Sequence, residues 1–122
     1  MDQAKTKEDA RAEALTVNGM QAAVHAWISQ WDEGYFSPLS NLARLTEEVG
    51  ELAREINHQH GDKPRKASDR EKLIEEELAD VLFVVVTLAN SLDVDLEVAF
   101  RKVMEKYDMR DAGRFTPKAP SP

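Results

Sequence analysis

The sequence predicts an all-α protein, a four-helix bundle, and three observations carry that prediction. Apolar residues recur at steps of three and four along most of the chain, the period of a helix with one packed face. Glycines and prolines act as punctuation between these stretches, as in DEGYFSP and GDKPRKA. The longest apolar run, VLFVVVTLA, could be a strand by its β-branched content. However, EKLIEEELAD before it and TLANSL after it favour helix, and the stretch outlasts a typical strand.

The first helix is expected from about Asn18 to Trp31, with Val24, Trp27, Ile28 and Trp31 at helical spacing. Ser37 followed by Pro38 is a start signal, because serine caps free N–H groups and proline suits the first turn. The second helix then runs to about His58, with Leu42, Leu45, Val49, Leu52 and Ile56 as its bundle seam. Ser68 with Glu71 forms a capping box that opens the third helix, which extends to about Leu92. That helix is apolar nearly all round, so it belongs at the centre or in a subunit interface. Asp95 caps the fourth helix, about Leu96 to Met109. Residues 1–17 read as a flexible charged leader, 18–110 as the helical domain and 111–122 as a disordered tail.

At 122 residues the chain is one domain, and its 42% apolar and 32% charged content is that of a folded, water-exposed protein. It has no cysteine, which excludes disulfides, thiolate metal sites and thiol nucleophiles. A net charge of -7 argues against binding a nucleic-acid polymer. The N-terminus lacks the apolar stretch of a signal peptide and no run is long enough to span a bilayer, so a cytoplasmic location without membrane contact is expected.

The candidate chemistry lies in LTEEVGELARE, which holds Glu47, Glu48, Glu51 and Glu55. Successive helical residues turn by about 100°, so Glu48 and Glu51 flank the seam at about 60° and 120° from it, one turn apart. Glu47 projects further round. On the third helix Glu77 and Asp80 repeat the spacing of three on the face continued by Val81, Val84 and Leu88. Either pair alone reads as ordinary solvated surface. If the two helices pack antiparallel, the four carboxylates converge, and such a cluster must take up protons, cationic side chains or a metal ion. All-oxygen ligands point to a hard ion, Mg²⁺ with Mn²⁺ as substitute. A di-iron site is disfavoured, because no histidine follows Glu51 or Glu77 at the Glu-x-x-His spacing. His58 and His60 lie near the far end of the second helix and read as a solvated helix end.

Together, E47-E48-V49-G50-E51 and E77-L78-A79-D80 resemble the E-E-x-x-E and E-x-x-D motifs of the MazG-type all-α nucleoside triphosphate pyrophosphohydrolases. The resemblance spans roughly Gln21 to Arg110 and is strongest to the small single-domain members. It implies hydrolysis of a nucleoside or deoxynucleoside triphosphate to the monophosphate and pyrophosphate, as nucleotide-pool house-cleaning. It further implies that Glu48, Glu51, Glu77 and Asp80 hold Mg²⁺ and that Glu47 orients or deprotonates the attacking water. Lys106 and Arg110 match family positions that contact phosphate, with Lys102 a weaker third on the same stripe. Met104 departs from the Asn found there in many relatives. Gln21 and Trp31 match the base-side region of the first helix and following loop. Asn90, a polar residue in an apolar stretch, either contacts the nucleotide or terminates its helix. Trp27 reads as core. Relatives assemble as dimers or dimers of dimers, so a homotetramer is expected. The alternative function is a helical oligomerisation or regulatory module that binds nucleotide or metal without cleavage.

Overall fold

The computed structural model describes residues 15–68 and 72–121. Among them are four helices and no strand: α1 (Val17–Ser29), α2 (Pro38–His60), α3 (Ile74–Ser91) and α4 (Leu96–Asp111). Each expected helix is present, and three begin at a side-chain cap. Thr16 Oγ1 accepts from the Gly19 amide at 3.0 Å, so α1 begins at Val17, one residue before the expected start. Ser37 Oγ accepts from the Ser40 amide at 3.2 Å with Pro38 in the first turn, and Asp95 Oδ1 accepts from the Val98 amide at 3.1 Å. Residues 1–14 of the expected leader lie outside the described residues, and residues 112–121 carry no helix or strand.

The start of α3 corrects the sequence reading. Ser68 lies in a turn well before the helix, Glu71 lies outside the described residues, and Leu73 occupies the cap position without a side-chain hydrogen bond. The approach is held instead by α2: Gln59 Nε2 donates to the Lys72 carbonyl at 3.3 Å, and Leu73 is extended. Glu75, Glu76 and Glu77 then fill the first turn, where negative charge complements the helix dipole.

α3 is the central helix, packed against α2 and α1, and it supplies the buried Val84, Val86, Thr87 and Ala89. It runs antiparallel to α2. Lys72, just before α3, meets Glu51 in the later half of α2, while Arg44 near the α2 start sits over the Phe83 ring in mid-α3. α4 packs against α1 and buries none of its residues fully.

The inward face of α2 is rotated from the expected seam. Asn41 and Glu55 are its buried residues and Glu48 is half-buried, three positions spaced by seven. Leu45 and Leu52 also turn inward, but Leu42, Val49 and Ile56 are 51%, 47% and 43% exposed. A polar row therefore faces α3 while an apolar row faces outward. Burying unpartnered carboxylates is costly, so this orientation needs a compensating cation, and the outward row remains available to another surface.

The far end of α2 also differs from expectation. His60 is exposed, but the His58 side chain is only 1% exposed and lies 3.9 Å from Glu55. Arg65, beyond the end of α2, holds the same acid: its Nη2 donates to Glu55 Oε2 at 2.8 Å. Among the described residues, no helix is long and apolar enough to cross a membrane.

Candidate active site

Helical spacing brings the acids together. Glu48 and Glu51, one turn apart on α2, meet Glu77 from the first turn of α3, and one oxygen from each lies within 4.8 Å of the others. Glu77 is 1% exposed, Glu48 half-buried and Glu51 exposed, so the cluster grades from the helix interface to solvent. Glu48 Oε2 and Glu77 Oε2 are buried without a hydrogen-bond partner. The Glu48 carboxyl titrates above its ordinary value, first because of burial and then because Glu51, Asp80 and Glu77 repel its charged form; Arg44 acts in the opposite sense. Asp80 thus acts on Glu48 from the next turn of α3 but is exposed, outside the converging trio. Glu47 is exposed on the neighbouring face of α2.

Lys72 brings a positive charge to this group from just before α3. Lys72 Nζ lies 3.5 Å from both Glu51 Oε2 and Glu77 Oε1, and the two carboxylates raise its pKa above the ordinary lysine value. It leaves the inner oxygens of Glu48 and Glu77 unpartnered. Orphaned, buried, all-carboxylate oxygens at this separation fit a hard divalent cation, which binds oxygen ligands preferentially. The Glu-x-x-His pair Glu55–His58 does not join this trio; its carboxylate is already taken by Arg65.

Beside the acids is a cavity of about 260 Å³ lined by Trp27, Trp31, Tyr35, Phe36, Asn41, Arg44, Phe83 and Thr87 among others. The α1–α2 turn shapes it: Gly34 takes φ 60°, which glycine accepts without strain, and Tyr35 and Phe36 follow. Trp31 lies past the end of α1, and Trp27 meets both Trp31 and Phe83 edge to face, at 6.1 and 5.8 Å between centroids. Trp27, expected in the core, is 54% exposed and lines this cavity.

The structure places the remaining candidates elsewhere. Gln21 Nε2 donates to Asn90 Oδ1 at 2.9 Å, Asn90 Nδ2 donates to the Gln21 carbonyl at 2.9 Å, and Gln21 Oε1 accepts from the Leu96 amide at 3.0 Å. These two amides join α1, α3 and the start of α4. On α4, Lys106 and Arg110 stack on Tyr107 at 5.3 and 4.6 Å. Arg110 also donates twice to Asp111 at 3.0 Å, which raises its pKa further. Lys102 is exposed on the same helix. Sequence reasoning missed Lys72 and Arg44. Arg44 was detectable as the basic residue one turn before Glu48, whereas Lys72 depends on the path of a connection that periodicity does not describe.

Comparison with known proteins identifies the family. The MazG nucleotide pyrophosphohydrolase domain matches residues 36–115. The chain is 57% identical over 103 residues to YpjD of Bacillus subtilis (strain 168), an alignment covering 84% of this chain and 93% of that protein. The crystal structure of Bacillus subtilis YPJD superposes with a TM-score of 0.71 at 56% identity, covering 79% of this chain and 98% of that one. The crystal structure of the Bacillus-conserved MazG protein, a nucleotide pyrophosphohydrolase, gives a TM-score of 0.70 at 55% identity, covering 84% and 99%. An acid trio between two antiparallel helices, a matching domain over most of the chain and two near-full-length structural relatives place the chain in the MazG nucleotide pyrophosphohydrolase family, and it is an enzyme of that class.

Proposed function

We propose that the protein hydrolyses nucleoside or deoxynucleoside triphosphates to the monophosphate and pyrophosphate with Mg²⁺, Mn²⁺ serving as substitute, and so clears nucleotides from the cellular pool. One observation carries this reading: buried, unpartnered oxygens of Glu48 and Glu77 converge with Glu51 beside an aromatic-lined cavity. A cation-binding group next to an apolar pocket matches a substrate with a polyphosphate at one end and a flat base at the other.

Glu48, Glu51 and Glu77 would hold the ion, with Asp80 adding charge from the next turn. When bound, Mg²⁺ supplies charge neutralisation for phosphate oxygens and makes a water more acidic. Glu47, exposed beside Glu48, is the group proposed to orient the attacking water and accept its proton. Trp31, with Trp27, Phe36 and Phe83, offers faces and edges to a base. Gln21 and Asn90 support this pocket by joining the helices around it, their amides being committed to each other.

Lys106, Arg110 and Lys102 are proposed phosphate contacts in an assembled enzyme. Their helix buries no residue fully in the single chain and exposes Val98, Phe100, Met104 and Tyr107. Together with the outward Leu42–Val49–Ile56 row, these surfaces support a homotetramer built as a dimer of dimers. The test is a panel of canonical and damaged nucleotides assayed with Mg²⁺ for pyrophosphate and orthophosphate separately. Pyrophosphate release is expected; orthophosphate as the sole product, or no turnover, contradicts the reading.

A further inference from the structure

Arg44 stands where the two halves of the site meet. It lines the aromatic cavity, and it lies on α2 one turn before Glu48, whose carboxyl feels its charge. Its guanidinium carbon sits 5.5 Å from the Phe83 ring centroid, a cation–π contact that holds the group over the ring. The ordinary role for such a residue is a helical ion pair with the acid four positions on. Among the described residues no ion pair joins Arg44 to Glu48; its guanidinium lies over the Phe83 ring instead.

A guanidinium carries five N–H donors, and its edges match phosphate oxygens two at a time. A nucleotide with its base in the cavity and its outer phosphates at the carboxylates must pass its first phosphate across the junction between them. A lone negative group there would face Glu48 and Glu51; Arg44 offsets that repulsion. We propose that Arg44 is a substrate-binding residue that holds the α-phosphate of the bound nucleotide, orienting the phosphorus that is attacked. This assignment rests on the nucleotide reading above.

The test is calorimetry with the α,β-imido analogues of the four deoxynucleoside triphosphates, in Mg²⁺, on wild type, R44Q and R44K. Binding of Mn²⁺ alone to each protein is measured in parallel. A charged hydrogen-bond pair predicts a loss of about 10- to 100-fold in analogue affinity for R44Q. R44K, which keeps the charge without the fork, should fall between R44Q and wild type. Mn²⁺ affinity should stay within about twofold, since Arg44 is not a ligand, and that same value shows R44Q to be folded. Equal analogue affinity in R44Q and wild type overturns the assignment while leaving the nucleotide reading standing. So does a parallel loss of Mn²⁺ binding in R44Q, which would make Arg44 a support for the carboxylates. Wild-type protein that binds Mn²⁺ but none of the analogues overturns the nucleotide reading itself, and the role of Arg44 with it.

Discussion

Lys72 Nζ stands 3.5 Å from Glu77 Oε1 and the same distance from Glu51 Oε2, so a side chain at the mouth of α3 partly neutralises carboxylates from two helices. A divalent ion entering the trio competes with that ammonium. Lys72→Met should therefore tighten Mn²⁺ binding in the absence of nucleotide by about 2- to 5-fold, the scale of an exposed charge pair. It should also lower the melting temperature in EDTA. Electron paramagnetic resonance titration and a thermal melt check both; weaker Mn²⁺ binding in the variant would show that Lys72 assists the ion.

Glu48 is the acid whose removal should separate stability from activity. Its charged form is disfavoured by burial and by three neighbouring carboxylates, so Glu48→Gln relieves repulsion in the metal-free fold. The variant should melt at or above the wild-type temperature in EDTA at pH 8, yet lose about 100-fold or more in Mg²⁺-dependent turnover. Parallel melting and pyrophosphate assays decide it. A variant that is both unstable and inactive would mean the side chain serves packing.

The same shift sets a pH dependence. The native pKa of Glu48 is raised from 4.5, so between the unfolded and folded values the native state holds more protons than the unfolded chain. Its contribution to metal-free stability is thus most favourable below the unfolded value and declines as pH climbs through the folded one. Mg²⁺ requires the charged form, so its affinity should rise across that window. Denaturant titrations in EDTA and in Mg²⁺ should show protection by the ion growing as pH rises above the ordinary carboxylate value of 4.5. A constant difference would contradict the assignment.

At the other end of α2, Glu55 is buried against Arg65 and His58. Arg65→Met leaves the buried Glu55 carboxylate without its guanidinium partner, which costs about 3 kcal/mol. The double variant Glu55→Gln with Arg65→Met should recover most of that loss. Chemical denaturation of the single and double variants measures the coupling; additive effects would rule out a working clasp.

How much of this was readable in advance depends on what each residue answers to. The helices follow from local chemistry, so Thr16, Ser37 and Asp95 cap them where polar residues precede apolar periodicity, and helical spacing brought Glu48, Glu51 and Glu77 together, whereas Asp80, expected on the inward face, is exposed outside the trio. The rotation of α2 did not. Apolar periodicity selected Leu42, Val49 and Ile56 as the inward seam, yet the polar row Asn41, Glu48 and Glu55 turns inward. Each of those polar residues has, or offers, a partner that hydrophobicity cannot represent: the Phe36 carbonyl for Asn41, Arg65 for Glu55 and a cation for Glu48. The contacts of Arg65 and Lys72 with α2 were hidden for a similar reason, since both residues lie outside the helices that periodicity describes.

That outward row carries its own expectation. Val49→Lys places a charge in the middle of the exposed Leu42–Val49–Ile56 stripe without touching the acid trio. Light scattering should show wild-type protein as a tetramer and the variant as smaller species with unchanged helical content. Wild-type protein that is monomeric at micromolar concentration would contradict the assembly.

Anomalous diffraction from crystals soaked in Mn²⁺ addresses the carboxylate site itself. The geometry predicts a peak between the side-chain oxygens of Glu48, Glu51 and Glu77, with Lys72 displaced from them. A map with no peak there, or with its peak at Glu55 and His58 instead, would contradict the site on which the proposed chemistry stands.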